Sequence, residues 1–224
     1  FGMMIYKPHL ALLLPVALIA GRQWRAIAAA AVTAGVLLGL SWLVFGPELW
    51  GHYLRILTAF RHVIVESNIS PRVVSVFIAA RSLGASVATA YWVQGAFGVI
   101  ACCAVAAVWF KQAPAAVKNA VLLLGTCLVT PYVLDYDLVF GAIVVAWLWQ
   151  QPVASERAER ALQIGSGMLL VLPLVAAALA HLTGLAFGPL FILPLFVVAL
   201  QMSFGAMPAA VTASSSSRLS SAQS

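Results

Sequence analysis

Apolar residues run along this chain in stretches of membrane length, and the few polar positions mark where each stretch ends. From Phe1 to Gly21 only Lys7 and His9 interrupt the pattern, and Pro8 suits the first turn of a helix, where its missing N–H is not needed. Arg22 and Arg25 then form a short basic turn. Ala26 to Phe45 predicts a clean span, about 30 Å long at 1.5 Å per residue, which is the thickness of a hydrocarbon core. The character changes at Pro47. Leu49, Tyr53, Ile56, Leu57, Phe60 and Ile64 recur at helical spacing, while Glu48, His52, Arg55 and His62 fall on another face. Pro47 to Val65 therefore predicts an amphipathic helix lying in the membrane interface, with Trp50 and Tyr53 at headgroup depth. Asn68 to Pro71 ends it, and the residues between Arg72 and Arg81 predict a second helix too short to span.

The pattern continues with a span from Ser86 to Phe110 and a loop holding Lys111, Pro114 and Lys118. Ala120 to Trp149 would be about 45 Å long as one helix, more than a bilayer needs. Pro131 argues instead for two short limbs joined by a turn at Pro131 to Asp137, since irregular backbone at membrane depth is tolerated where it lines a cavity. Two more spans follow, Leu162 to Ala180 and Leu185 to Phe204. The fold expected is an all-α polytopic transmembrane bundle of about six to seven spans plus the interfacial helix. Residues 1–206 would form the membrane domain, and 207–224, rich in serine, a disordered cytoplasmic tail. Because the chain opens on Phe1 inside an apolar stretch, an upstream portion is expected as well.

Composition narrows the class. With 63% hydrophobic and 8% charged residues, the chain lies far from soluble domains, in which about a quarter of residues are charged. An integral protein of the plasma (inner) membrane is expected, with a bilayer and no nucleic acid among its partners. The basic turns at Arg22 and Arg25, at Lys111 and Lys118, and at Arg157 and Arg160 fit the cytoplasmic side. Arg55, Arg61, Arg72 and Arg81 then fall outside, an excess that calls for an anionic partner. Cys102, Cys103 and Cys127 sit inside apolar runs without metal-ligand spacing, and His52 and His62 are too far apart in sequence to form a helical metal pair. No metal site or cofactor is indicated, and the phosphate-loop, HExxH, CxxC and serine-elbow motifs are all missing from the sequence.

The chemistry concentrates in Thr130 to Val139, TPYVLDYDLV. An ionised carboxylate inside an apolar segment of membrane length costs about 2.5 kcal/mol or more, so such groups face a cavity or a partner. Asp135 and Asp137 admit two readings: a pair neutralised by Lys or Arg from another helix, or part of a site that receives a phosphate and polar groups together. Lys7 likewise either snorkels to the headgroups or contacts a phosphate.

The stretches KPHLALLLPVALIAGRQWR and TPYVLDYDLVFGAIVVAW, in that order, resemble the C-terminal half of the family 87 glycosyltransferases over Tyr6 to Trp149. These are polytopic enzymes of the GT-C superfamily, similar to bacterial mannosyltransferases. The resemblance implies transfer of a hexose from a polyprenyl-phosphate donor to an extracytoplasmic lipid or glycan acceptor. Lys7, Arg61 and Arg72 would grip the donor phosphate, and the candidate substrate-binding set is completed by His9, Asn68, Tyr132, Asp135, Tyr136 and Asp137. The family's catalytic aspartate is expected in an earlier exterior loop, so no catalytic residue is assigned and this chain alone is expected to lack the base. Tyr132 departs from the histidine frequent after the Ser/Thr-Pro pair. A transporter or lipid-flippase subunit, with the aspartates binding a proton or ion, and an inactive truncated membrane protein are the alternatives.

Overall fold

A computed structural model describes residues 2, 7–66, 72–111 and 113–205, the side chains of 57–66 excepted. The expected tail, 207–224, and Asn68 lie outside the described residues. The order of helices is α1 (Leu14–Ala20), α2 (Trp24–Glu66), α3 (Val76–Ser82), α4 (Val87–Phe110), α5 (Ala115–Val129), α6 (Gly141–Trp149), α7 (Glu156–Thr183) and α8 (Gly188–Gly205). Tight 3-10 turns at Pro8–Ala11 and Asp135–Phe140 precede α1 and α6. Among the described residues the only strand-like pairing is one isolated antiparallel bridge, Val73 with Leu134.

Among the described residues, four stretches are long and apolar enough to cross a membrane: Trp24–Ile56, Val87–Phe110, Glu156–Thr183 and Gly188–Gly205. Pro8–Ala20 and Ala115–Val129 are apolar but shorter, and α6 is shorter still. The protein is thus an all-α membrane helix bundle. The first expected span is less regular than its apolar pattern implies. Pro8 and Pro15 each occupy the beginning of a helical segment, so the chain winds as a 3-10 turn and then a separate seven-residue α1.

The boundary between the second span and the amphipathic helix falls at Gly46. Its φ of 72° and ψ of 169° are non-helical, a conformation open to glycine, and Pro47 next to it has no N–H to donate. Two helical limbs therefore meet at a kink inside α2. The expected helix between Arg72 and Arg81 also differs in extent. It begins only at Val76, and Val76, Phe77 and Ile78 are buried in the bundle, leaving Arg72 in the turn before it.

The core is formed where α4, α5, α7 and α8 meet, with α1 against α4. Val105, Val108, Leu124, Leu169 and Leu195 are fully enclosed there. Lipid tails are as apolar as leucine, so close packing rather than exclusion of water has to favour contact between helices in a membrane. Small residues at the crossings permit it. A Cβ at Gly125 would meet the side chains of Leu13, Val105 and Phe196, and one at Gly165 would press on the Leu195 backbone. By contrast, the membrane-length part of α2 leaves Leu40, Leu43 and Val44 exposed. Helix α7 begins with Ser155 accepting from the Ala158 N–H and ends at Gly184 in the left-handed conformation, φ 72°.

The chain between Ala120 and Trp149 is two limbs. Helix α5 stops at Val129 because Thr130, ahead of Pro131, is extended at φ −90° and ψ 132°. The turn that follows carries the acidic residues.

Candidate functional site

The turn after α5 is tied in place by backbone and short polar side chains before any charge is considered. Thr130 Oγ1 accepts the Tyr132 N–H at 3.3 Å. The Val74 N–H donates to Val133 O, and the Asp135 N–H donates to Arg72 O, both at 2.9 Å, so the bend is laced to the segment entering α3. Asp137 Oδ2 accepts the Leu134 N–H at 3.2 Å, and Asp135 Oδ1 accepts the Tyr136 N–H at 2.8 Å. Both carboxylates thereby become structural parts of a 3-10 turn, and both are buried, with exposures of 6% for Asp135 and 5% for Asp137.

Each buried aspartate holds one cation from a distant part of the chain. Lys7 Nζ donates to Asp137 Oδ1. Arg72 makes a fork to Asp135, with Nε 3.1 Å from Oδ2 and the terminal amine 3.2 Å from Oδ1. The cations lie on the outer side of their acids: the side chain of Lys7 is 26% exposed and that of Arg72 60%. Both stand near the Tyr136 ring, Lys7 Nζ at 4.6 Å and the Arg72 guanidinium at 5.7 Å from its centroid. Tyr136 itself is half exposed. The hydrogen bonds to Asp135, then its negative charge, raise the Arg72 pKa further above its ordinary value, so this cation is permanent.

His9 belongs to the 3-10 turn ahead of α1, outside the four membrane-length stretches. Its Nε2 is buried and, among the described residues, makes no hydrogen bond, lying 3.9 Å from Asp137 Oδ2. Burial holds the imidazole pKa below its ordinary 6.5; Asp137 opposes that shift and Lys7 adds to it. His9 is accordingly neutral at pH 7.

The bundle thus brings Lys7, His9, Arg72, Asp135, Tyr136 and Asp137 into one cluster, with Tyr132 in the same turn. Of the other sequence candidates, the side chain of Arg61 lies outside the described residues, as does Asn68. A cavity of about 570 Å³ lies beside the cluster, between Pro8 and both limbs of α2, with Leu37, Ser41, Trp50, His52 and Tyr53 in its wall. Lys7 precedes Pro8 in the chain, whereas neither aspartate lines this hollow. Among the described residues no group of three or more His, Cys, Asp or Glu could hold a metal ion.

Gln94 is the residue that sequence reasoning passed over. Buried in α4 at 5% exposure, its Oε1 accepts the Phe77 N–H at 2.9 Å, and its Nε2 donates to Leu128 O at 2.7 Å and Val129 O at 3.1 Å. One amide therefore joins the start of α3 to the end of α5, the two strands of chain that deliver Arg72 and the acidic turn. Its signal was present: a lone glutamine in the middle of an apolar span needs internal partners.

A sequence model of glycosyltransferase family 87 matches residues 1–131. The chain belongs to glycosyltransferase family 87. It is a membrane glycosyltransferase, and the match takes in Lys7, His9, Arg72 and Gln94. The acidic turn from Tyr132 onward lies just past the matched segment. Neither curated proteins nor solved structures gave a match to this family 87 chain.

Proposed function

We propose that this family 87 glycosyltransferase takes a hexose from a polyprenyl-phosphate donor and passes it to a lipid or glycan acceptor on the extracytoplasmic side of the plasma (inner) membrane. The observation that supports this most is the pair of cations, Lys7 and Arg72, set around one half-exposed tyrosine and backed by two buried carboxylates. A leaving phosphate gains negative charge as the glycosidic bond breaks, and fixed cations stabilise that charge without having to reorganise.

In this arrangement the aspartates are holders rather than bases. Asp135 and Asp137 already accept from a cation and from the backbone, so their oxygens are engaged in holding the cluster rather than open to an acceptor hydroxyl. The incoming phosphate either shares the cations with the carboxylates or takes their place. Tyr136 and Tyr132 supply polar and aromatic surface for the sugar. The catalytic base is not assigned within this cluster.

Transfer from a radiolabelled polyprenyl-phosphate hexose in membranes is the test. Lys7→Ala and Arg72→Ala, introduced into the intact protein, should each lower kcat by about a hundredfold, the size of one lost transition-state contact. Unchanged kcat in both variants would remove the cluster from the donor site.

A further inference from the structure

The opposite end of α7 carries a second cationic feature, outside the segment that matches the family. Arg157 and Arg160, three residues apart, lie on neighbouring positions of one helical face, and both line a cavity of about 410 Å³ together with Glu156, Ala161 and Ile164. Ala161 and Ile164 also line a second cavity, of about 510 Å³, whose far wall is α8 from Leu190 to Gln201. The two cavities therefore form one groove with a charged mouth and an apolar body. The α8 wall is about 17 Å long at 1.5 Å per residue, enough for much of an acyl chain.

The mouth carries two guanidinium groups and one carboxylate, and among the described residues neither arginine has an ion-pair partner. Leu190 and Val197 remain largely exposed along the body, as does Ile164. Lys111 and the end of α8 lie together, Lys111 Nζ being 4.1 Å from the Phe204 ring centroid. Hydrocarbon alone would satisfy the body of the groove but not its mouth. An ordinary zwitterionic headgroup brings a cation of its own to two arginines.

We propose that the α7–α8 groove is a binding site for an anionic phospholipid, with its phosphate on Arg157 and Arg160 and one acyl chain between Ile164 and Val197. The site is separate from the acidic turn and does not depend on the donor chemistry proposed there.

The test uses the full chain in phosphatidylcholine nanodiscs doped with diazirine-labelled phosphatidylglycerol, with labelled peptides mapped by mass spectrometry. Labelling should concentrate on 161–201 and fall about fivefold for each arginine removed in Arg157→Gln and Arg160→Gln, the weight of one basic side chain at an anionic surface. Arg22→Gln with Arg25→Gln, an equal loss of charge elsewhere, should leave it unchanged. Ile164→Trp or Val197→Trp, which fill the body without altering charge, should abolish it while the melting temperature holds. Equal loss in the two double variants would mean a diffuse surface potential and would overturn the site. So would equal labelling by a diazirine phosphatidylcholine, or competition by soluble glycerol phosphate at the same concentration as the lipid.

Discussion

Lys7 and Arg72 at one end of the bundle, and Arg157 and Arg160 at the start of α7, are two pairs of cations that the fold treats in opposite ways. The first pair is brought from distant parts of the chain onto two buried aspartates. The second pair has glutamates close by in sequence, Glu156 and Glu159, yet no carboxylate reaches it among the described residues. Helix spacing does not forbid a pair, since Glu156 and Arg160 are four residues apart, yet among the described residues no ion pair joins them. A buried carboxylate needs a partner, so it fixes the position of the cation that comes to it. An exposed cation is fixed by nothing and stays available. Preorganised charge suited to a reaction is found at the first end, and charge suited to a headgroup at the second.

On that contrast, the largest effect belongs to Asp137. Asp137→Asn leaves the Lys7 ammonium half-buried beside a neutral amide, and breaking such a pair should destabilise the protein by about 3 kcal/mol, the low end for buried pairs because Lys7 keeps some solvent. Thermal unfolding in detergent would show it, together with loss of transfer. An unaltered melting curve would make the acidic end no more anchored than the arginine end.

Gln94→Leu comes next. It keeps the volume of the side chain but strands the Phe77 N–H and removes the donor that serves Leu128 and Val129, so about 2 kcal/mol is expected. Hydrogen exchange should rise together in 72–78 and 130–137, because one amide holds both segments. Exchange confined to one of them would show that the other is held by its backbone bridge alone.

The helical membrane bundle was legible in the apolar run lengths, and the break of the Ala120–Trp149 tract in Pro131. The kink at Gly46 fell where the pattern changed from a span to an amphipathic stretch. The pairing partners were not legible. Lys7 with Asp137 and Arg72 with Asp135 connect residues far apart in sequence, and a single sequence carries charge types but no distances. The sequence left open whether the aspartates are neutralised by basic groups or belong to a site; the geometry shows the neutralisation, and the cluster it builds is the one proposed as the site. The burial of α3 was missed for a related reason. Arg72 and Arg81 bracket it and fall on the outer side in the expected topology, whereas Arg81 reaches forward to donate to Ala85 O at 2.7 Å and Val76, Phe77 and Ile78 pack inward.

A smaller effect separates the two ends by pH. His9 is less basic in the folded protein than in the unfolded chain, mainly through burial, so the unfolded state takes up the proton first. The stability it contributes is complete above its ordinary pKa of 6.5 and is lost as pH falls through and below that value. Melting temperature should therefore decline below about pH 6.5 in the native protein and less steeply in His9→Gln. An identical slope in the two would show that the imidazole has no part in the decline.

The smallest effect is the sharpest for the contrast. Arg157→Gln with Arg160→Gln removes two charges that the fold does not use, and the change in stability should stay within about 0.5 kcal/mol, as for surface positions without partners. The same double change should leave sugar transfer intact, because the acidic turn and its cations lie elsewhere in the bundle. A large loss of stability would show that these arginines do hold the start of α7, in which case the two ends of the molecule use charge alike. Unaltered melting and transfer, set beside the collapse expected for Asp137→Asn, would establish that what decides the role of a cation in this protein is whether a buried carboxylate lies behind it.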